Sequence, residues 1–330
     1  MPAKENPHIV YMGTPDFAVE PLRAIIDAGY NVLAAVTVPD KPAGRGLKPQ
    51  PSPVKVFAEQ NNIPVLQPEK LKNPNFIQAL RELNPDIIVV VAFRMLPREV
   101  WQLPRLGTFN LHASLLPQYR GAAPINWAII NGEKQTGITT FLLDNQIDTG
   151  NIILQQTIPI GDTETAGELH DKLMYHGAAL VVETIKMLEK GKVSPIPQQQ
   201  IPIDGELKTA PKIFKATCRI NWNEPCHKVF NLIRGLSPYP TAWTEVKIRR
   251  SNVDAVVTLK IYHADKLDIN HTFPTGTIRT DGKTHIHIYC SQGAIAIKTV
   301  QQSGKKIMEV EEFLRGLQNV EFQTSKTIVN

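Results

Sequence analysis

The segment Asp86-Ile87-Ile88-Val89-Val90-Val91-Ala92-Phe93 is apolar at every position after its first residue. A strand that is covered on both faces needs such an unbroken apolar run, whereas a strand with one solvated face alternates between apolar and polar residues. The segment therefore predicts a central strand of a parallel sheet. The next short apolar run, Thr108–His112, predicts the strand beside it.

Short apolar runs alternate with helical patterns on both sides of this segment. The further predicted strands are 8–12, 31–38, 63–66, 136–143 and 151–159, and the predicted helices are 16–28, 54–60, 75–83, 125–131 and 165–190. This alternation favours an α/β fold with a Rossmann-like, mostly parallel sheet and helices on both faces. The last two strands are joined by a short turn, which predicts a hairpin.

The pattern changes after residue 192. Residues 193–208 are rich in Pro and Gln and lack a helical period, which is typical of an extended linker. A helix is predicted at 224–234 and another at 308–315, and between them lie the short strands 243–249, 255–263, 275–279, 284–290 and 293–299. Closely spaced strands with Gly and Asp in the turns predict a small antiparallel β-barrel of the OB-like type. We therefore expect a catalytic α/β domain over 1–192, a linker over 193–208 and a barrel domain over 209–330.

Composition narrows the class of protein. A chain of 330 residues with 42% hydrophobic and 20% charged residues suits a globular protein of two domains. No apolar run approaches the roughly 18 residues that span a bilayer, and the N-terminus lacks the features of a secretion signal. Three cysteines without paired spacing indicate a reducing compartment. These features predict a cytoplasmic protein, which we expect to be a monomer.

Charge is distributed unevenly along the chain. Residues 209–330 contain 17 Lys and Arg against 10 Asp and Glu, whereas residues 1–208 contain 19 against 21. A basic domain of this kind suits a polyanion such as a nucleic acid, although a solvated basic surface explains the charge equally well.

Three side chains suit acyl transfer. Asn110 and His112 lie two residues apart near the end of a predicted strand, so that they share one face, and Asp148 lies in the turn of the predicted hairpin. A carboxamide can donate to an oxyanion, an imidazole can accept a proton, and a carboxylate can orient the ring. Taken alone, the three residues could equally be ordinary polar residues at a strand end and in a turn. The long Pro-, Gly- and Arg-containing loop 114–124 favours a functional interpretation.

The motifs around these residues narrow the choice further. The sequence Asn-Leu-His-Ala-Ser-Leu-Leu-Pro at 110–117 and Tyr-Arg-Gly-Ala-Ala-Pro at 119–124 resembles the signature of folate-dependent formyltransferases. The continuation Arg-Gly-Ala-Ala-Pro, together with Gly-Thr-Pro-Asp-Phe at 13–17 and Pro-Ala-Gly-Arg-Gly at 42–46, is similar to the members of that family that formylate methionyl-tRNA. The resemblance implies a formyl group passing from 10-formyltetrahydrofolate to the α-amine of methionine on initiator tRNA.

The resemblance also implies roles for individual residues. The catalytic residues would be Asn110, His112 and Asp148. The folate would contact Ser114, Leu115, Leu116 and Pro117, and backbone groups near Val91, Ala92 and Phe93 would hold the pterin ring. The chain departs from the family pattern directly after this segment. The family usually has Gly after the aromatic residue and a slightly longer loop, whereas this chain has Arg94-Met95-Leu96-Pro97.

A basic, Gly- and Pro-rich loop at 41–49 is inserted between a predicted strand and a helix. Its cations suit phosphate, and its glycines allow close approach of the backbone to RNA. The resemblance places Arg45 near the acceptor end of tRNA. The full set of predicted tRNA contacts is Arg45, Lys41, Lys48, Lys212, Lys247, Arg249 and Arg250, with Lys215, Arg219, Lys305 and Lys306 as further candidates.

Three alternatives stay open. The same chemistry could act on a small amine, as in a glycinamide ribonucleotide or amino-sugar formyltransferase, or water could replace the amine in a formyltetrahydrofolate hydrolase. A non-catalytic RNA-binding protein is a third possibility. No metal site is predicted, because the pair His285 and His287 has no third ligand nearby. The motif at Gly13 lacks the spacing of a dinucleotide-binding loop.

Overall fold

The computed structural model describes residues 6–43, 48–203, 205–250, 253–316 and 320–323. Contacts divide the chain into two compact units. Unit 1 contains Met1–Pro124, Gln135–Pro159 and His170–Ala210, and unit 2 contains Ile125–Lys134, Ile160–Leu169 and Pro211–Asn330. The predicted domain boundaries at 192 and 209 stay a prediction.

Unit 1 is built on a seven-stranded sheet. Its strands are β1 (His8–Gly13), β2 (Asn31–Val36), β5 (Val65–Leu66), β6 (Ile87–Val91), β7 (Thr108–His112), β9 (Gln135–Leu142) and β10 (Ile152–Pro159), in the order β10-β9-β7-β6-β1-β2-β5. The neighbouring pairs from β7 to β5 are parallel, whereas β9 pairs antiparallel with both β7 and β10. The predicted mostly parallel, Rossmann-like sheet is confirmed, with β6 fully buried near its centre.

The helices α1 (Val19–Asp27), α2 (Pro53–Gln60), α3 (Pro74–Leu83), α4 (Arg98–Trp101), α5 (Pro124–Ile130) and α6 (Ala166–Glu189) connect or follow these strands. Of these, α5 from Ile125 onward and α6 as far as Leu169 fall in unit 2. Their starts follow from local chemistry. The Ser52 hydroxyl accepts from the backbone N–H of Lys55 and caps α2, and Asn73 caps α3 in the same way. Thr165 and Glu168 form a reciprocal capping box at the start of α6.

Two small sheets of unit 1 lie outside the predicted elements. Strands β3 (Lys41–Ala43) and β4 (Lys48–Gln50) pair antiparallel, so the ends of the basic loop form a hairpin. Strands β8 (Arg120–Gly121) and β11 (Thr209–Ala210) pair in parallel. Two-residue strands carry no period that a sequence pattern could reveal.

Unit 2 contains α7 (Cys226–Leu236), α8 (Val310–Arg315) and the strands β12 (Ala242–Arg250), β13 (Val253–Leu267), β14 (Ile278–Thr280), β15 (Ile286–Tyr289), β16 (Ala294–Gln302), β17 (Met308–Glu309) and β18 (Val320–Gln323). The sheet has the order β14-β15-β16-β13-β12-β18, with β17 paired to β16, and every pair is antiparallel. The predicted antiparallel barrel is confirmed as a half-barrel. One face of α7 packs into its core through Val229, Phe230 and Ile233.

Arg234 is a buried charge within unit 2. It is 5% exposed, and its guanidinium donates to the backbone oxygens of Gly161 and Glu164 and to the side chain of Asn231. Burial lowers the pKa of Arg234. The contacts fasten α7 to the chain segment that leads into α6, and so hold residues 160–165 to this unit.

Candidate functional site

The site lies at the carboxyl ends of β6 and β7, where ligands bind in open parallel sheets. Val90 pairs with Asn110 and Val91 pairs with Leu111, so the ends of the two strands are adjacent. Asn110 and His112 share one face of β7 because side chains alternate along a strand. Asn110 is partly exposed, and none of the residues that the structure describes hydrogen-bonds its carboxamide. Its N–H groups are therefore available to a bound molecule.

His112 is only 6% exposed, and its ring is held by the backbone. Nε2 lies 2.9 Å from the carbonyl oxygen of Tyr119. A carbonyl oxygen only accepts, so Nε2 must carry the proton, and in the neutral ring Nδ1 is the basic nitrogen. Nδ1 lies 3.8 Å from Asp148 Oδ2, which is longer than a hydrogen bond but close enough to stabilise a protonated ring.

A backbone donor orients Asp148. Its Oδ2 accepts a 2.9 Å hydrogen bond from the N–H of Gly121, in β8. The Asp148 backbone has φ of 55°, in the left-handed region that few non-Gly residues adopt. The carboxylate thus lies between His112 and the loop after β7. The sequence predicted that Asp148 would join Asn110 and His112, and the structure brings Asp148 and His112 together.

One short peptide segment supports both of these side chains. Tyr119 supplies the carbonyl that holds His112, and Gly121 supplies the N–H that holds Asp148. Tyr119 has φ of 61°, and its own N–H donates to the Lys208 carbonyl oxygen at 2.7 Å. Sequence reasoning missed these roles because they belong to backbone atoms. The Tyr-Arg-Gly order within the motif was the only local signal.

The predicted folate segment is tightly bound to the protein itself. Ser114 and Leu116 are buried, and the Ser114 hydroxyl donates to the Gln118 carbonyl oxygen at 2.6 Å. Gln155 donates to the Leu116 carbonyl oxygen at 2.8 Å, and Pro117 is also buried. Only Leu115 of this segment is partly exposed. The side chains of Ser114 and Leu116 therefore fix the loop, and folate contacts by this segment stay a prediction.

Val91, Ala92 and Phe93 lie where β6 ends. Ala92 is exposed and has φ of 47°, which turns the chain sharply after the strand. Arg94 then donates to the backbone oxygens of Pro68 and Glu69 at 2.8 and 2.9 Å, and its guanidinium lies 5.2 Å from the Phe93 ring centroid. Partial burial lowers the pKa of Arg94. The departure from the family motif is thus a loop fastened by an arginine, and pterin contacts by its backbone stay a prediction.

The predicted tRNA contacts are dispersed along the chain. Lys41 and Lys48 lie on the paired strands β3 and β4, whereas Arg45 lies outside the described residues. Lys212 and Lys247 of unit 2 are exposed. Arg249 and Arg250 lie on β12, and their side chains fall outside the description.

Two of the further candidates, and Lys212 of the main set, lie beside aromatic rings. Lys215 and Arg219 both lie over the ring of Trp243, and Lys212 lies over the ring of Phe214. Phe214 is exposed and Trp243 is partly exposed, and cations beside accessible aromatic rings suit RNA, because phosphate and bases can both be contacted there. Whether these residues bind RNA stays a prediction.

The described residues include no cluster of three or more His, Cys, Asp or Glu side chains that could hold a metal ion. The rings of His285 and His287 lie 4.6 Å apart, and burial lowers the pKa of His287. In the described part of the chain, no helix combines the length and the apolar character needed to cross a membrane.

Comparison with known proteins identifies the family. The model of the family "Formyl transferase" matches residues 8–185, and that of "Formyl transferase, C-terminal domain" matches residues 212–318. The methionyl-tRNA formyltransferase of Bacteroides fragilis is 54% identical over 98% of this chain and 99% of its own length. The chain belongs to the family of methionyl-tRNA formyltransferases. The enzymes of Bacteroides thetaiotaomicron and Porphyromonas gingivalis are 55% and 47% identical over 95% of this chain and 96% of theirs.

Solved structures share the fold of this formyltransferase at lower identity. The sugar 3N-formyl transferase WlaRD, in the presence of dTDP and 5-N-formyl-THF, covers 92% of this chain and 100% of its own, with a TM-score of 0.63 and 20% identity. HypX from Aquifex aeolicus in complex with tetrahydrofolic acid covers 98% of this chain and 51% of its own, with a TM-score of 0.61 and 17% identity.

Proposed function

We propose that this formyltransferase transfers a formyl group from 10-formyltetrahydrofolate to the α-amino group of methionine on initiator tRNA. The observation that supports the proposal is that Asp148 lies beside His112 at the end of β7, the strand that also carries Asn110. His112 and Asp148 are held by Tyr119 and Gly121, and Asn110 presents unengaged N–H donors on the face of β7 that His112 shares. This set suits acyl transfer to an amine.

The chemistry follows from the charges that develop. The neutral amine attacks the formyl carbon, a new C–N bond forms, and negative charge gathers on the formyl oxygen. Asn110 donates an N–H to that oxygen without changing its own protonation state. His112 accepts the amine proton at Nδ1, and Asp148, 3.8 Å away, stabilises the resulting imidazolium. The bond from the formyl carbon to N10 of the folate then breaks, and N10 receives the proton that His112 accepted, which returns the ring to its neutral form.

We propose that the basic residues of unit 2 and of the loop 41–49 recognise the tRNA. Exposed Lys212 and Lys247 of unit 2, with Arg249 and Arg250 of β12, would contact phosphates, and Arg45 with Lys41 and Lys48 would approach the acceptor end. A small amine needs none of these cations, and the relatives that are 47–55% identical act on methionyl-tRNA by name. We further propose that the protein is cytoplasmic and monomeric. Light scattering of the purified protein would test the monomeric state.

The decisive assay incubates purified protein with 10-formyltetrahydrofolate and a charged tRNA. We expect formyl-methionine on initiator tRNA and little on elongator tRNA charged with methionine. Formylation of glycinamide ribonucleotide or an amino sugar at a higher kcat/KM would overturn the proposal. Release of formate without an acceptor would instead identify a hydrolase.

Asn110→Ala tests the site itself. Removing an oxyanion donor typically lowers turnover by about 10²–10³-fold, and we expect that loss in kcat with an unchanged unfolding curve. Asn75→Ala removes an exposed carboxamide from α3 and serves as the matched control. Equal activity of the two variants would remove Asn110 from the mechanism.

A further inference from the structure

Gln198 lies in the segment that the sequence predicts to be a linker, and between the two regions that match the family. It occupies a single turn of 3-10 helix at Gln198–Gln200, where its neighbours Gln199 and Gln200 are exposed. Gln198 itself is 1% exposed. A glutamine is rarely buried to this extent without a set of specific partners, because an unpaired buried amide is costly.

The Gln198 carboxamide uses its full hydrogen-bonding capacity. Its Oε1 accepts from Nε and Nη2 of Arg120, at 3.0 and 2.6 Å. Its Nε2 donates to the backbone oxygens of Asp148 and Gly150, both at 2.9 Å. A guanidinium only donates and a carbonyl oxygen only accepts, so the amide cannot be reversed.

The partners of Gln198 flank one hydrogen bond of the site. The Asp148 carboxylate is oriented by the N–H of Gly121, and Gly121 directly follows Arg120. Gln198 therefore holds Arg120 on one side of that contact and the Asp148 peptide on the other. It also binds the carbonyls on both sides of Thr149, which fixes the backbone where Asp148 adopts φ of 55°.

We infer that Gln198 is a positioning residue for the reaction, which keeps the Asp148 carboxylate at its working distance from His112. The inference rests on the proposed function. Among the described residues, the hydrogen-bond partners of the Gln198 side chain are Arg120 and the carbonyl oxygens of Asp148 and Gly150, and not His112. Its effect passes through the backbone of Asp148 and through the peptide 120–121 that supplies the N–H to the carboxylate. A displacement of about 1 Å at a catalytic group can lower turnover about 10²-fold, so the loss of the hydrogen bonds of Gln198 should have a measurable effect on turnover.

Gln198→Glu is the sharpest variant. The carboxylate keeps an acceptor for Arg120, but it loses both donors and faces two carbonyl oxygens. We expect kcat to fall about 10- to 100-fold while KM for initiator tRNA changes less than about 3-fold. Gln199→Glu makes the same change of charge on the exposed neighbouring residue, and it should leave kcat unchanged.

A double-mutant cycle separates positioning from a general loss of structure. In the Asp148→Asn background, Gln198→Glu should lower kcat less than about 3-fold further, because the carboxylate that it positions is already gone. Multiplicative effects of the two changes would show that Gln198 does not act through Asp148. Urea unfolding of each variant measures stability in parallel, and Gln198→Met provides a second, uncharged removal of the donors.

The outcomes also separate this inference from the proposed function. Wild-type protein that fails to formylate initiator tRNA would contradict the function. Wild-type activity with Gln198→Glu and Gln198→Met as active as Gln199→Glu would overturn the positioning role alone. A rise in KM with unchanged kcat would likewise overturn it, because that pattern indicates weaker substrate binding.

Discussion

Gly121→Ala tests the support of Asp148 from the opposite side. Gly121 has φ of 126°, a conformation that residues with a β-carbon adopt at a cost of about 1–3 kcal/mol. A β-carbon there would lie 2.4 Å from the carbonyl oxygen of Ala210, whereas ordinary contacts begin near 3.4 Å. The strands β8 and β11 must therefore separate by about 1 Å.

The consequences can be estimated from the contacts of this strand pair. The hydrogen bond from the Ala123 N–H to the Ala210 oxygen is 3.2 Å long and would break, at about 1 kcal/mol. Together with the backbone cost, we expect unfolding to become easier by about 2–4 kcal/mol. If Gly121 moves by that ångström, its 2.9 Å bond to Asp148 lengthens beyond hydrogen-bonding range. We expect kcat to fall about 10²-fold.

Gly29→Ala is the matched control. Gly29 also has a positive φ, of 81°, but nothing lies within 4 Å of the position of an added β-carbon. It should lose about 1 kcal/mol of stability and no activity. Urea unfolding midpoints with their slopes, and single-turnover formyl transfer, measure the two effects. If Gly121→Ala matched Gly29→Ala in both assays, the strand pair would have no part in orienting Asp148.

Other predictions concern stability and reactivity. Partial burial opposes ionisation of Asp86, but the His8 N–H and Arg105 lower its pKa. The contribution of Asp86 to the free energy of unfolding is therefore present above its unfolded pKa near 3.9 and is lost as pH falls through the folded pKa. Asp86→Asn should therefore lower the free energy of unfolding by about 1 kcal/mol at pH 7, and its acid unfolding curve should converge with that of the wild type. Burial raises the pKa of Cys290 to about 12, so a disulfide reagent at pH 8 should label this thiol only in denaturant, and rapid labelling of the native protein would contradict the packing. Arg234→Met should cost about 2–3 kcal/mol in urea unfolding, because it removes the donors to two backbone carbonyls, and a loss below 0.5 kcal/mol would show these contacts to be incidental.

The parts of the fold that follow from local pattern were predictable from the sequence. The unbroken apolar run 87–91 gave a central parallel strand, because burial on both faces leaves no position for a polar side chain. The alternation of side chains along a strand predicts that Asn110 and His112 share one face of β7. Chemistry that depends on residue type and strand period is therefore accessible from sequence.

Strand lengths in unit 2 were less predictable. The sequence indicated a strand at 255–263, but β13 spans Val253–Leu267. One part of β13 pairs with β12 and an overlapping part with β16, and its register to β16 shifts near His263. Each shift reverses the inward and outward alternation, so no single period runs through the strand, and the predicted strand ends four residues before β13 does.

The supports of the site were the hardest to predict. Gln198 lies 50 residues from Asp148 in the chain, in a segment without helical or strand period. Its role depends on a fold that brings the segment beside β8. The carbonyl of Tyr119 and the N–H of Gly121 are equally invisible, since every residue other than Pro has both groups. Sequence shows which side chains can do chemistry, but not which backbone atoms hold them in place.

Backbone strain points to the same residues by an independent route. Among the described residues, the non-Gly positions with positive φ are Asn62, Asn84, Ala92, Tyr119, Asp148 and Thr241. Asn and Asp adopt this conformation more readily than other non-Gly residues, and Ala92, Tyr119 and Asp148 lie at the carboxyl edge of the sheet of unit 1. A backbone conformation of this kind costs about 1–3 kcal/mol, and it persists only where surrounding contacts enforce it. The bonds of Gln198 to the Asp148 peptide and of Lys208 to the Tyr119 N–H are such contacts. The segment between the two family matches thus enforces the strained backbone on which the positions of His112 and Asp148 depend.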